Sequence, residues 1–278
     1  GQSGAWDSDY LPNTASIPDE ACFIKSMYSN NNAHTPATLE LHTGTQTFMR
    51  PSVGAWVVYG LGCQSDNLPA YIAMTDDTFR NGASMYSCGF LPAVYQGTDM
   101  QIEGVPIRNL RRPDTISASE QRMMLDQINA WNRHHLKTRP GDSRLDARIA
   151  NYELAFRMQT AAPELIDFSQ ETKATRDLYG VEEGSTQRFG KMCLMGRRMV
   201  ERGVRYVQLI CGGWDAHGDT QGNHTTQGKK VDQPIAGLLK DLKQRGLLDE
   251  TLVVWGTEFG RTPGAENSDG RDHHPYGF

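Results

Sequence analysis

A chain of 278 residues with a net charge of −5 and an isoelectric point near 5.9 has length for one large core or two small ones, and it lacks the basic balance of a nucleic-acid binder. Its mean hydropathy is −0.56 and no apolar run reaches the roughly 18 residues a membrane helix needs, so no membrane span is expected. The five cysteines, Cys22, Cys63, Cys88, Cys193 and Cys211, are scattered without a CxxC pair, which argues against a zinc ribbon or a disulfide framework and leaves free thiols.

Residues 1–20 are polar and read as an irregular entry. The chain starts at Gly1 without a signal-peptide pattern and stops in HHPYGF, so it reads as a fragment truncated at both ends. Residues 21–27 (ACFIKSM) predict a strand. After the Asn30–Asn32 turn, HTPATLELHTG reads as a loop feeding a short helix, with Thr35 as cap and Pro36 at the first helical position. Residues 51–61 fit a helix or a strand. LPAYIAM (68–74) predicts a strand. Residues 75–113, rich in Gly, Asn, Asp and Pro, are too long for an ordinary connection and read as an insertion over the catalytic edge of a single domain spanning 1–278.

Helices follow. Residues 117–136 open with Ser117 and Glu120 in capping-box spacing. Residues 143–161 carry Leu145, Ile149, Tyr152 and Phe156 on one stripe, and Pro163 is expected to end that helix. Residues 186–202 stop at Gly203. VRYVQLIC (204–211) predicts a strand, residues 212–224 a loop, and residues 229–245 an amphipathic helix that buries Val231, Ile235, Leu238, Leu239 and Leu242 and closes at Gly246. The apolar run Leu252–Val253–Val254–Trp255 predicts a buried strand. The tail is then a strand–helix–strand unit, parallel and right-handed by default.

Both strand ends of that unit carry metal-type groups. The first offers Asp215 and His217, with Asp219 and His224 nearby. The second, in TEFGRTPGAENSDGRDHHPYGF, offers Glu258, then Arg261, then Asp272, His273 and His274. Ligands of open α/β sheets sit at the carboxyl edge of the strands. Four of the eight histidines fall in these two loops, beside acids. Imidazole and carboxylate donors together suit Zn, Mn or Fe. His224 reads as a solvated loop residue. One of His273 and His274 is expected to face the site, the other to support it. Arg261 is read either as an ion-pair partner of Glu258 or as a clamp for phosphate or sulfate. His134 and His135 suit the C-terminal end of their helix, and Arg111–Arg112 reads as a solvated pair.

The runs LLDETLVVWGTEFGRTP…GRDHHPYGF, RMVERGVRYVQLICGGWDAH, PSVGAWVVYGLG, NLPAYIAM, FLPAVYQGT and YELAFRMQTAAPE resemble the domain of unknown function 1501 family over nearly the whole chain. That family is similar to the alkaline phosphatase and sulfatase superfamily. The resemblance implies an α/β fold, an alkaline-phosphatase-like three-layer sandwich around a mostly parallel sheet, with metal ligands and a nucleophile at its carboxyl edge. HTPATLELHTG resembles the sulfatase C-x-P-S-R…T-G stretch. It places His34 at the nucleophile position, with Thr35 after it as a phosphatase-type hydroxyl nucleophile and His34 as ligand or base. Thr257–Glu258–Phe259–Gly260 resembles the S-D-H-G metal motif, with Phe259 in place of its histidine, so one metal is absent or differently held. Asp215 and His217 resemble the D-x-x-x-H ligands with a shorter gap, and His273 or His274 the late histidine ligand. The superfamily's first strand, with its own aspartate ligand, is expected before Gly1. The implied activity is metal-dependent hydrolysis of phosphate or sulfate esters, on a small-molecule or glycan substrate, with Zn or Mn, or else Ca. The alternative is a non-catalytic exported binding or accessory protein that keeps the fold. A periplasmic or extracytoplasmic setting for the full-length parent follows from the resemblance.

Overall fold

The computed structural model describes residues 8–77, 79, 81–104, 106–107, 110–182, 184–265 and 268–277. The elements, in chain order, are α1 (His34–Thr43), α2 (Val53–Leu61), β1 (Tyr71–Thr75), β2 (Thr98–Asp99), α3 (Ala118–Lys137), α4 (Ser143–Ile166), α5 (Lys173–Tyr179), α6 (Gln187–Glu201), β3 (Tyr206–Ile210), α7 (Thr220–Gln244), β4 (Gly260–Arg261) and β5 (His273–His274). β2, β1 and β3 form a parallel sheet in that order, with Tyr71 to Thr75 facing Tyr206 to Ile210 residue for residue.

Successive side chains of a strand point to opposite faces, and β1 is covered on both. Ile72 and Met74 enter the larger core, with Met192, Leu194, Met195 and Met199 of α6 and Val231 of α7. Tyr71 and Ala73 enter a smaller cluster with Val58 of α2. Helices therefore sit on either side of a short parallel sheet, a mixed α/β architecture. No helix among the described residues is long and apolar enough to cross a membrane.

Charge is also buried between the helices. The Arg197 side chain on α6, 2 % exposed, lies 2.8 Å from Glu171, 2.5 Å from Glu201 and 2.9 Å from Asp241 of α7. Tyr179 of α5 donates to Asp241 at 2.9 Å, and Arg245 flanks Glu201 and Asp241.

Several local expectations change. The capping box forms at Ser117 and Glu120, and residues 51–61 resolve as α2 behind a Ser52 cap. α1 starts at His34, not at Pro36: the Asn31 side chain accepts the Ala33 amide at 2.8 Å and turns the chain into the helix earlier, with Ala33 as N-cap. α4 continues through Pro163 to Ile166, so the proline removes one backbone bond without ending the helix. α7 begins at Thr220, since the Asp219 side chain caps Gly222, so His224 is helical. α5 carried no periodicity long enough to read. Residues 21–27 form no strand. Part of 75–113 supplies β2 and the buried Met85, Met100, Ile102 and Leu110.

The largest correction concerns residues 251–256. They are not a strand: Leu252 is 89 % and Val254 81 % exposed, and no strand among the described residues pairs with them. A β-branched run makes a strand only when a neighbour takes its amides and carbonyls. The run leads out of the turn after α7 to Glu258.

Candidate metal centre

Four pieces of chain converge beyond the carboxyl end of β3. The first turn of α1 brings His34, and the loop after β3 brings Asp215 and His217. The segment after 256 brings Glu258 and the β4 residue Arg261, while β5 and the residue before it bring Asp272 and His273. β4 and β5 pair antiparallel, Arg261 opposite His273. The two long loops are laced together. The Arg271 amide donates to the Ala216 carbonyl at 2.8 Å, Ser268 Oγ to the His217 carbonyl at 2.5 Å, and the Asp219 amide to Asp269 Oδ1 at 2.7 Å. Gly270 lies within this lacing, where an added Cβ would stand 2.0 Å from the His217 carbonyl carbon. Only glycine allows the loops to approach this closely. Asp219 is held at φ +46°, a left-handed conformation that non-glycine residues adopt at a cost.

The histidines share one arrangement. His34 Nδ1 is 2.5 Å from Glu258 Oε1 and His273 Nδ1 is 2.6 Å from the Asn32 carbonyl, while His217 Nδ1 faces Asp272 Oδ1 at 3.4 Å. A hydrogen-bonded acceptor on Nδ1, as in His34 and His273, fixes the tautomer and leaves the Nε2 lone pair free for a metal. All three Nε2 atoms turn toward Asp215. His34 Nε2 lies 2.9 Å from Oδ2, and His217 and His273 Nε2 lie each 3.1 Å from Oδ1. The His217 and His273 Nε2 atoms are themselves 3.0 Å apart. Arg261 Nη2 reaches the same Oδ1 at 2.7 Å. Three nitrogens crowd an oxygen that has two lone pairs, and two ring nitrogens without their protons would repel at 3.0 Å. A cation held by His34, Asp215 and His273 would take up the lone pairs of Asp215 and His273 and relieve this crowding, so the donor set fits a metal. One ligand atom each of His34, Asp215 and His273 lie within 4.8 Å of one another, a three-ligand set like those that keep one position open in catalytic zinc sites.

Electrostatics follow this geometry. Burial would raise the Asp215 carboxyl, but hydrogen bonds from Arg261, His273 and His34 outweigh it and hold the group well below the usual carboxylate range. Glu258 is likewise lowered: burial opposes the shift, and the His34 hydrogen bond leads the groups that cause it. Phe259 is buried beneath the site, its ring 5.0 Å from His34 and 4.6 Å from His273, with the Arg261 guanidinium 5.7 Å above it. It forms an apolar floor.

The nine predicted residues thus separate. His34, Asp215, His217, Asp272, His273 and Arg261 come together around one point. Glu258 stands behind His34, not at the Nε2 side. Arg261 pairs with Asp215 instead of Glu258. Thr35 is exposed in the first turn of α1, its carbonyl accepting from the Asn81 side chain at 2.7 Å. His274 follows His273 on a two-residue strand and faces the other way, 6.1 Å from the Tyr276 ring. Sequence reasoning missed Asn32 and His42. Asn32 acts through its backbone carbonyl, which no side-chain pattern reveals. His42 lies two turns along α1 from His34, a helical spacing that could have flagged it. Burial depresses its pKa to about 4, opposed by the nearby Glu258.

Residues 1–278 match the model of a family described as "Protein of unknown function (DUF1501)". No curated protein and no solved structure matches the chain.

Proposed function

We propose a reaction for this chain, which belongs to the DUF1501 family: metal-dependent hydrolysis of phosphate or sulfate esters in an alkaline-phosphatase-like fold. The observation that carries the reading is the common orientation of three histidines, each with Nδ1 against an oxygen and Nε2 toward Asp215. His34, Asp215 and His273 would hold one divalent ion, Zn or Mn by donor type, with Ca the less suited alternative. When bound, such an ion polarises an ester oxygen and lowers the pKa of an attacking group.

The chain's own residues supply the rest. Glu258 and the Asn32 carbonyl fix the tautomers of His34 and His273. Phe259 keeps water from beneath the rings. Arg261 spends one donor on Asp215 and keeps others for a phosphate or sulfate oxygen. Thr35 lies in the first turn of α1, where backbone amides favour an anion and the turn itself carries no acidic residue; its hydroxyl is the proposed nucleophile. His217, half exposed and with Asp272 beside it, would pass a proton to the leaving oxygen. The setting that suits the resemblance is periplasmic or extracytoplasmic, with a small-molecule or glycan ester as substrate.

Elemental analysis together with turnover of aryl phosphates, phosphodiesters and aryl sulfates tests the proposal. About one equivalent of metal is expected in the chain and none in Asp215→Ala. His217→Gln should keep the metal and lose roughly 100-fold or more in kcat. Metal-loaded protein that hydrolyses none of these esters above the Asp215→Ala background sinks the hydrolase reading. One observation favours a non-catalytic binding protein instead: Arg261 at 2.7 Å already gives Asp215 an internal cation. That reading predicts no metal in either protein.

A further inference from the structure

A buried ion pair outside the site stands where its loop begins. Asp76 follows the last residue of β1, and its side chain is 1 % exposed. Its amide donates to the Ile210 carbonyl at 3.1 Å, extending the β1–β3 ladder by one bond. Its carboxylate takes three donors. Gly212 N–H reaches Oδ1 at 2.9 Å, the Cys211 thiol reaches Oδ2 at 3.4 Å, and Lys230 Nζ, from α7, ion-pairs with Oδ2. Cys211, pushed up to about 12 by burial with Asp76 adding to the effect, remains a protonated donor. Burial alone would lower Lys230, yet Asp76 leads the groups that raise it, so the pair is ionic.

The position of this pair is what gives it a consequence. Gly212 is where the chain leaves β3, three residues before Asp215. Gly213 follows at φ +97°, and an added Cβ would meet the Gln227 amide at 2.4 Å. The Gly213 carbonyl accepts from Asn223 of α7 at 3.0 Å. The loop is therefore fixed at its start by Asp76 and at its end by the Asp219 cap, and α7 is tied to its start through Lys230. Between the two anchors lie Asp215 and His217.

We infer that Asp76, neutralised by Lys230, is a positioning residue of the metal centre: by holding the Gly212 amide it sets where Asp215 and His217 stand. Its effect on metal rests on the function proposed above, whereas the clamp on the loop does not. An ion pair this buried is weak evidence of a stability role, since well-packed apolar replacements of such pairs are often neutral. A role in placing the loop explains why the acid bonds a backbone amide as well as its counter-ion.

Two paired variants of the full chain separate the hydrogen bond from the charge. Asp76→Leu with Lys230→Met removes both charges and orphans the Gly212 amide. Asp76→Asn with Lys230→Met also removes both charges but keeps an oxygen for that amide. Hydrogen exchange over residues 212–219 and Zn affinity by chelator competition are the readouts. The leucine pair should exchange at least tenfold faster there and bind Zn about 10- to 100-fold more weakly, while the asparagine pair stays within about threefold of the unaltered chain on both, as a rescue of the amide bond requires. If the leucine pair fails to fold, Asp76→Ala with Lys230→Met takes its place. The inference is overturned if the leucine pair matches the unaltered chain in exchange or in Zn affinity, or if both variants lose equally. Absence of Zn binding in the unaltered chain would overturn the proposed function alone, because the exchange comparison still decides the clamp.

Discussion

β3 and residues 252–256 have much the same sequence character and opposite structural fates. YVQLI pairs with β1 at five positions and sits between helices. LVVWG has no ladder partner among the described residues and leaves Leu252 and Val254 almost wholly in solvent. Yet both runs end at the same cluster, Asp215 beyond one and Glu258 beyond the other, joined through His34. A strand needs a neighbour as much as a sequence, whereas a site needs only that its donors arrive. Here they arrive because the loops bond to each other, through Ala216–Arg271, His217–Ser268 and Asp219–Asp269.

If that contrast is right, the largest loss of stability comes from the paired side. Ile72→Ala, at a fully buried β1 position, should lower unfolding free energy by about 2–5 kcal/mol in denaturant titration. The lacing is probed next. Gly270→Ala should separate the loops and weaken metal binding roughly 100-fold, a cost near 2.7 kcal/mol at the site, while the melting temperature moves little. A change confined to melting would show that the glycine serves the fold and not the centre.

A third test concerns α1, which carries His34. The folded pKa of His42 is depressed to about 4 from an ordinary 6.5. Its contribution is present above 6.5 and is lost as pH falls toward 4, because the unfolded chain takes up the proton first. Stability should therefore fall by up to about 3 kcal/mol over that window, and His42→Gln should flatten this part of the profile. The smallest effect belongs to the unpaired run: Val254→Thr should change stability by less than about 0.5 kcal/mol. A loss comparable to that of Ile72→Ala would mean that residues 252–256 are packed in solution, and the contrast would fail.

Local chemistry was legible in the sequence. Ser117 and Glu120 cap α3 because a hydroxyl and a carboxylate three residues apart suffice. Gly246 closes α7 at φ +69°, and the acid–histidine clustering marked the loops that meet. What could not be read depended on distant partners. Nothing near Leu252 says whether a neighbouring strand exists, and nothing near Glu258 says that it will bond His34, 224 residues away. Pro163 misled because a helix can carry on through a proline at the loss of one backbone bond. Asp76 gave no signal, since an acid after a strand is ordinarily a turn residue.

The buried Arg197 restricts how this chain can vary. Losing the guanidinium would leave Glu171, Glu201 and Asp241 dependent on Arg245 and Arg198 alone, and losing one acid would leave Arg197 short of a partner. Single steps are costly, whereas replacing the whole set by apolar side chains need not be. These four positions, spread over 71 residues from 171 to 241, are therefore expected to be inherited together, kept or exchanged as a unit while the sequence around them drifts.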